Sequence, residues 1–143
     1  MLHTHNNPPP ADEAGGLTRF SGQKRRQILQ AAARLFLRDG FEPTTMDAIA
    51  REAGVSKATV YAHAKNKQEL FAGIVNARVA LVYRSMELMD AAAAAADDAL
   101  NRFARHFIQM SLSPEAQGIY RIVVAEAPRN PELGRIFFEQ GPR

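Results

Sequence analysis

The chain contains no cysteine, so neither a disulfide framework nor a thiolate metal site can hold it together. That absence suits a reducing cytosol. Long apolar runs are missing as well. The longest, the alanines from Ala91 to Ala96, is far too short to cross a bilayer, and the N-terminus lacks the charged-then-apolar layout of a secretory signal. The expected location is the cytoplasm, with no membrane partner. Catalytic patterns are equally scarce. No nucleophile stands with a recognisable base, and there is no glycine-rich phosphate loop or metal constellation, so we expect neither an enzyme nor a cofactor. His3 and His5 have no third ligand near them and read as two solvated histidines. At 143 residues the chain is long enough for one ordinary domain, or for a small unit that shares helices with a second core.

Positive charge is present, and it is unevenly spread. The net charge is only +3, but residues 17 to 84 hold 12 Lys or Arg against 5 Asp or Glu, while residues 85 to 143 hold 6 against 8. A basic half of this kind is the electrostatic footprint of nucleic-acid binding, because neutralising phosphates releases condensed counterions.

Within the basic half, the stretch Thr44 to Leu70 (TTMDAIAREAGVSKATVYAHAKNKQEL) reads as two short helices joined by a tight turn, with a third helix starting at once. Thr44 is placed to cap the first helix, with Asp47 reaching back to its N–H. Met46, Ile49, Ala50 and Ala53 keep the spacing of one buried stripe. Gly54 can adopt positive φ and so permits the sharp turn. Ser56 caps the second helix, in which Val55 and Val60 anchor the inner side and Lys57, Ala58, Thr59, Tyr61 and His63 are left for a partner. The third start falls at Asn66, with Glu69 in the reciprocal capping position and Lys67 at the first helical residue, where a helix N-terminus favours anions.

These residues resemble the DNA-binding segment of the TetR family of bacterial repressors, whose pattern runs T-x-x-x-I-A-x-x-A-G-V-S-x-x-T-x-Y-x-H/Y-F-x-x-K-x-x-L. The matches here are Thr45, Ile49, Ala50, Ala53, Gly54, Val55, Ser56, Thr59, Tyr61, His63, Lys67 and Leu70. One position departs: Ala64 stands where the pattern has Phe, and the smaller side chain is expected to leave room in the three-helix unit.

Outside the motif, the prolines at 8 to 10 and the glycines at 15 and 16 mark residues 1–22 as a disordered arm, ending in the basic residues Arg19, Lys24, Arg25 and Arg26. A scaffold helix is expected from Gln23 to Arg38, with Ile28, Ala31, Ala32, Leu35 and Phe36 on one stripe and Asp39-Gly40 as its stop. The DNA-binding unit then spans 23–71 and a partial helical regulatory domain spans 72–143. A long helix from Lys67 continues toward Met89, and the alanine run is expected to act as a spacer. Leu100, Phe103, Ala104, Phe107, Ile108 and Ser111 make an amphipathic helix. Ser113-Pro114-Glu115 and Asn130-Pro131-Glu132 each start another. The fold class is all-α: a helix-turn-helix unit followed by an incomplete helical ligand-binding and dimerisation domain.

The resemblance implies a sequence-specific regulator of double-stranded DNA with a palindromic operator, of the ligand-responsive repressor kind. Phosphate contacts would come from Thr45, Tyr61, His63 and Lys67, with Thr44 and Ser56 beside them, and base contacts from Lys57, Ala58 and Thr59. A small-molecule inducer would sit among Met86, Met89, Phe103, Phe107, Met110 and Tyr120. Phe137, Gly141 and Pro142 match the step that closes the seventh helix in one class of the family, after which members carry two long helices that build a homodimer. This chain stops at Arg143, so dimerisation is expected to be poor. Ile122, Val123, Phe137 and Phe138 are expected to form an uncovered patch. The alternative is a module that binds DNA weakly or pairs with a complete homologue.

Overall fold

The computed structural model describes the backbone of residues 11–90 and 96–141 and the side chains of residues 21–87 and 97–141. Among them are seven helices: α1 (Ala11–Asp39), α2 (Met46–Ala53), α3 (Lys57–His63), α4 (Lys67–Asp90), α5 (Ala96–Ser111), α6 (Pro114–Glu126) and α7 (Pro131–Gln140). The all-α expectation holds. The alanine spacer at 91–95 and residues 1–10 of the arm lie outside the described residues.

The first helix starts well ahead of Gln23, so residues 11–22 are helix where a disordered arm was expected. Adding a residue to an existing helix gains a hydrogen bond without a new nucleation penalty, which lets a strong downstream helix recruit a weak upstream segment. The stripe Ile28, Ala31, Ala32, Leu35 and Phe36 is buried as its spacing requires. Gly40, at φ 93°, ends the helix and returns its N–H to the Phe36 carbonyl. Phe41 then folds back so that Phe36, Phe41 and Phe71 form a ring cluster with centroids 5.0 to 6.5 Å apart.

The first helix packs on α2, α4 and α6, and α4 packs in turn on α5 and α7. The core therefore has no break at residue 72: Phe71, Ile74 and Val75 on α4 belong to the same cluster as Ile119, Ile122 and Val123 on α6 and Leu133 and Ile136 on α7. Ala64 is buried in that cluster too, at the C-cap of α3. Two glycines lie close to leucine side chains of α1. A Cβ on Gly73 of α4 would lie 2.8 Å from Leu29, and one on Gly118 of α6 would collide outright with Leu37.

Two local expectations need correction, those for the patch and for Asn130. The patch expected from Ile122, Val123, Phe137 and Phe138 reduces to Phe138, which is 80% exposed, because α1 and α7 cover the first two. The apolar face of α5 forms as a helix but lies largely open, with Leu100 67% exposed and Phe107 and Ile108 also exposed. Asn130 does not repeat the capping of Ser113. Its side chain makes no cap bond, whereas the Ser113 hydroxyl accepts from the Ala116 N–H.

Candidate nucleic-acid interface and regulatory cleft

The reading face is built from the caps outward. Thr45, not Thr44, is the N-cap of α2: its hydroxyl accepts from the Ala48 N–H at 3.1 Å. Thr44 is 4% exposed, and its hydroxyl donates to the Gly40 carbonyl at 2.7 Å. Its hydroxyl is thereby engaged within the protein. Gly54, at φ 67°, closes α2, its N–H bonding the Arg51 carbonyl, while the Val55 N–H bonds that of Ala50. The chain leaves this turn straight into Ser56, whose hydroxyl accepts from the Thr59 N–H and also bonds the Thr59 hydroxyl at 2.7 Å. Val60 is fully buried beneath α3, while Lys57, Ala58 and Tyr61 are exposed, Tyr61 by 46%. His63 is half-buried at the end of the helix. Thr59 is half-buried, its hydroxyl sharing the cap with that of Ser56.

Charge on this face is partly paired. Lys57 Nζ lies 3.0 Å from Asp47, and that hydrogen bond and charge raise the lysine pKa above its ordinary value. Arg25 on α1 donates to the His63 carbonyl at 3.4 Å, placing a cation at the C-terminus of α3, where the helix dipole favours one. Lys24 and Arg26 are exposed beside it in sequence.

Lys67, expected at a phosphate contact, has its ammonium bonded within the protein. Its ammonium donates to the Phe41 carbonyl at 2.9 Å and the Glu42 carbonyl at 3.0 Å, and sits 4.6 Å from the centre of the Phe41 ring. Two of its three N–H groups thus brace the turn between α1 and α2. The Asn66 side chain accepts from the Glu69 N–H as the capping pattern predicts, but Glu69 reaches back to the Lys65 N–H, one residue earlier than expected.

Behind this face, a cleft of about 430 Å³ opens between α4, α5, α6 and α7. Of the six residues expected in a pocket, Phe107, Met110 and Tyr120 line it. Met86 and Phe103 do not, Phe103 instead stacking on Phe107 with centroids 5.9 Å apart, and the Met89 side chain lies outside those described. The sequence reading missed the α4 wall of Val75, Val79 and Val82, whose spacing of four and three residues was a readable stripe, and missed Arg78 within it. Phe137 closes the far side, edge-on to Tyr120 at 6.2 Å. Arg78 donates to the Met110 carbonyl at 3.4 Å and to the Ser113 hydroxyl, tying α4 to the turn that starts α6.

Two family models match. The tetR-family model of bacterial regulatory proteins covers residues 28–74, and that of the C-terminal domain of AefR-like transcriptional repressors covers residues 98–143. The chain belongs to the TetR family. Among curated relatives, this TetR-family chain is 46% identical over 52 residues to YhgD of Bacillus subtilis, an uncharacterized HTH-type transcriptional regulator, a match covering 36% of this chain and 27% of YhgD. It is 41% identical over 58 residues to the HTH-type regulator AcrR of Shigella flexneri, covering 40% of this chain and 27% of AcrR. The matched part is thus about a quarter of the length of these relatives. Among solved structures, a TetR-family transcriptional regulator of Mesorhizobium loti superposes with a TM-score of 0.71 at 35% identity, over 85% of this chain and 61% of that one. The flavonoid-responsive regulator FrrA gives 0.64 at 38% identity over the same shares. Among the described residues no helix is long and apolar enough to cross a membrane, and no group of three or more acidic or histidine side chains is arranged to hold a metal ion.

Proposed function

We propose that this TetR-family chain is a sequence-specific DNA-binding transcriptional regulator, of the ligand-responsive repressor kind, reading double-stranded DNA through α3. The observation that carries the reading is the division of α3 into a buried anchor, Val60, and an exposed face of Lys57, Ala58 and Tyr61, held by the Ser56 cap on a unit whose basic residues outnumber its acids. Lys57 is suited to guanine acceptors, and the methyl groups of Ala58 and Thr59 to thymine. Tyr61, His63 and the exposed Thr45 at the start of α2 are suited to phosphates. Lys67 is assigned to bracing. The cleft behind α4 supports ligand responsiveness, as does the likeness to FrrA, a regulator described as flavonoid-responsive.

The test is selection of bound sequences from a random duplex pool, followed by anisotropy titration of the winner against a scrambled duplex. Tyr61→Ala should weaken binding to both duplexes alike, and Lys57→Ala should narrow the difference between them. Equal affinity for selected and scrambled duplexes would overturn sequence-specific reading.

A further inference from the structure

The cleft has a chemical bias. Its walls are aliphatic on α4 and aromatic opposite, with the rings of Phe107, Tyr120 and Phe137 facing the space. Among the described residues, the charged side chains lining it are Arg78 and Arg121, and no carboxylate does so. Arg78 is half-buried, and its described hydrogen bonds go to neutral acceptors, the Met110 carbonyl and the Ser113 hydroxyl, both from one nitrogen, Nη2. Among the described residues neither arginine is paired with an acid. A guanidinium partly withdrawn from water beside an apolar cavity, without an anion, is incompletely compensated. A cationic guest would be repelled there and a neutral one would leave that deficit in place.

We infer that the cleft takes a flat aromatic anion, a molecule of two or three rings bearing one carboxylate or sulfonate, with the Arg78 guanidinium as its charge partner. The inference rests on the reading of the cleft as a ligand site and adds the class of ligand. The size agrees, since cavities of roughly 300–1,000 Å³ take compact small molecules. The geometry agrees as well: Nε and Nη1 have no described partner, so either can donate a single charge-assisted hydrogen bond to an oxyanion while Nη2 keeps its bonds to the α5–α6 turn. The rings stack between α5, α6 and α7 while the charge is held at α4.

Two fluorescent probes that differ in a single group test this on the whole chain. Anilinonaphthalene sulfonate carries an anion, and N-phenyl-1-naphthylamine is the same ring system without it. The sulfonate should bind about tenfold or more tightly than the neutral probe, as expected for one charge-assisted pair. It should be displaced by the neutral probe and weaken with added salt. In Arg78→Gln that preference should collapse while neutral-probe affinity stays within about twofold, the uncharged contacts being unchanged. Val79→Trp, which fills the cleft, should abolish both. Equal affinity of the two probes for the wild-type chain would overturn the anion inference and leave the ligand site standing. No binding of either probe, or binding untouched by Val79→Trp, would overturn the ligand site itself. The wild-type comparison decides the matter even if Arg78→Gln fails to fold.

Discussion

Lys67→Met separates a structural lysine from a DNA-contacting one, because the variant keeps the aliphatic stem and removes only the ammonium. The structure allows the loss to be sized. Two charge-assisted hydrogen bonds disappear, each worth on the order of 1.5–3 kcal/mol, together with a cation–π contact worth about 0.5–1 kcal/mol at an exposed site. Both must be discounted. The Phe41 carbonyl also accepts from the Thr44 N–H at 3.3 Å, and Glu42 is exposed, so water can replace the ammonium at its carbonyl. The net loss should be about 2 kcal/mol, which for a chain of this size lowers Tm by roughly 4–8 °C. Thermal and urea unfolding followed by circular dichroism measure it, with an unchanged urea slope expected. At a temperature where both proteins are folded, DNA affinity should agree within about twofold and the salt slope should be the same. An unchanged Tm with a salt slope reduced by about one would refute the brace and restore Lys67 to the phosphate contacts.

Three further perturbations probe the same surfaces. Asp47→Asn releases Lys57 from its ion pair and removes a negative charge from the DNA side, so affinity for any duplex should rise severalfold at low salt; weaker binding would mean that Asp47 orients Lys57 productively. Thr44→Val strands the Gly40 carbonyl and should destabilise by about 1–2 kcal/mol without altering the affinity of the folded fraction, so loss of DNA affinity at constant Tm would return Thr44 to the interface. Gly118→Ala sets a helix-propensity gain of about 1 kcal/mol against overpacking of typically 1–3 kcal/mol where its Cβ meets Leu37. Because Leu37 is 38% exposed and can swing outward, the net effect should be a modest loss, larger for Gly118→Val, and a raised Tm for the alanine variant would contradict it.

The helix-turn-helix was legible because its determinants are local: Gly54 for the left-handed turn, Ser56 for the cap, and Val60 set between exposed neighbours. The failures share a cause. Two adjacent threonines are equally good caps by type, and what assigns the role to Thr45 is the Gly40 carbonyl, which claims Thr44 from the preceding loop. Lys67 is visibly the first residue of a helix. Its commitment to Phe41, however, is a contact between residues 26 positions apart that no short pattern encodes. The periodicity of α5 predicted the helix but not that its face lies open, since spacing fixes which side chains share a face and not what that face meets. In the cleft, Phe107, Met110 and Tyr120 were legible by bulk, while Val75, Arg78, Val79 and Val82 stand on a helix whose spacing alone does not say which of its faces borders a cleft.

The fourth helix is where the two ends of the molecule constrain each other. Its first residue, Lys67, is bonded to the turn that delivers α2, and eleven residues later Arg78 is bonded to the turn that starts α6. A helix rises about 1.5 Å per residue, so a slide of α4 by a residue or more would make the Lys67 side chain re-extend or release these two carbonyls. Gly73 of the same helix faces the Leu29 side chain of α1, so that an added Cβ would lie 2.8 Å from its Cδ2. Interfaces of this kind hold one arrangement or give way to another instead of deforming smoothly. The cleft wall of Val75, Val79 and Val82 therefore stands on the same helix whose first residue is bonded to the turn that precedes α2.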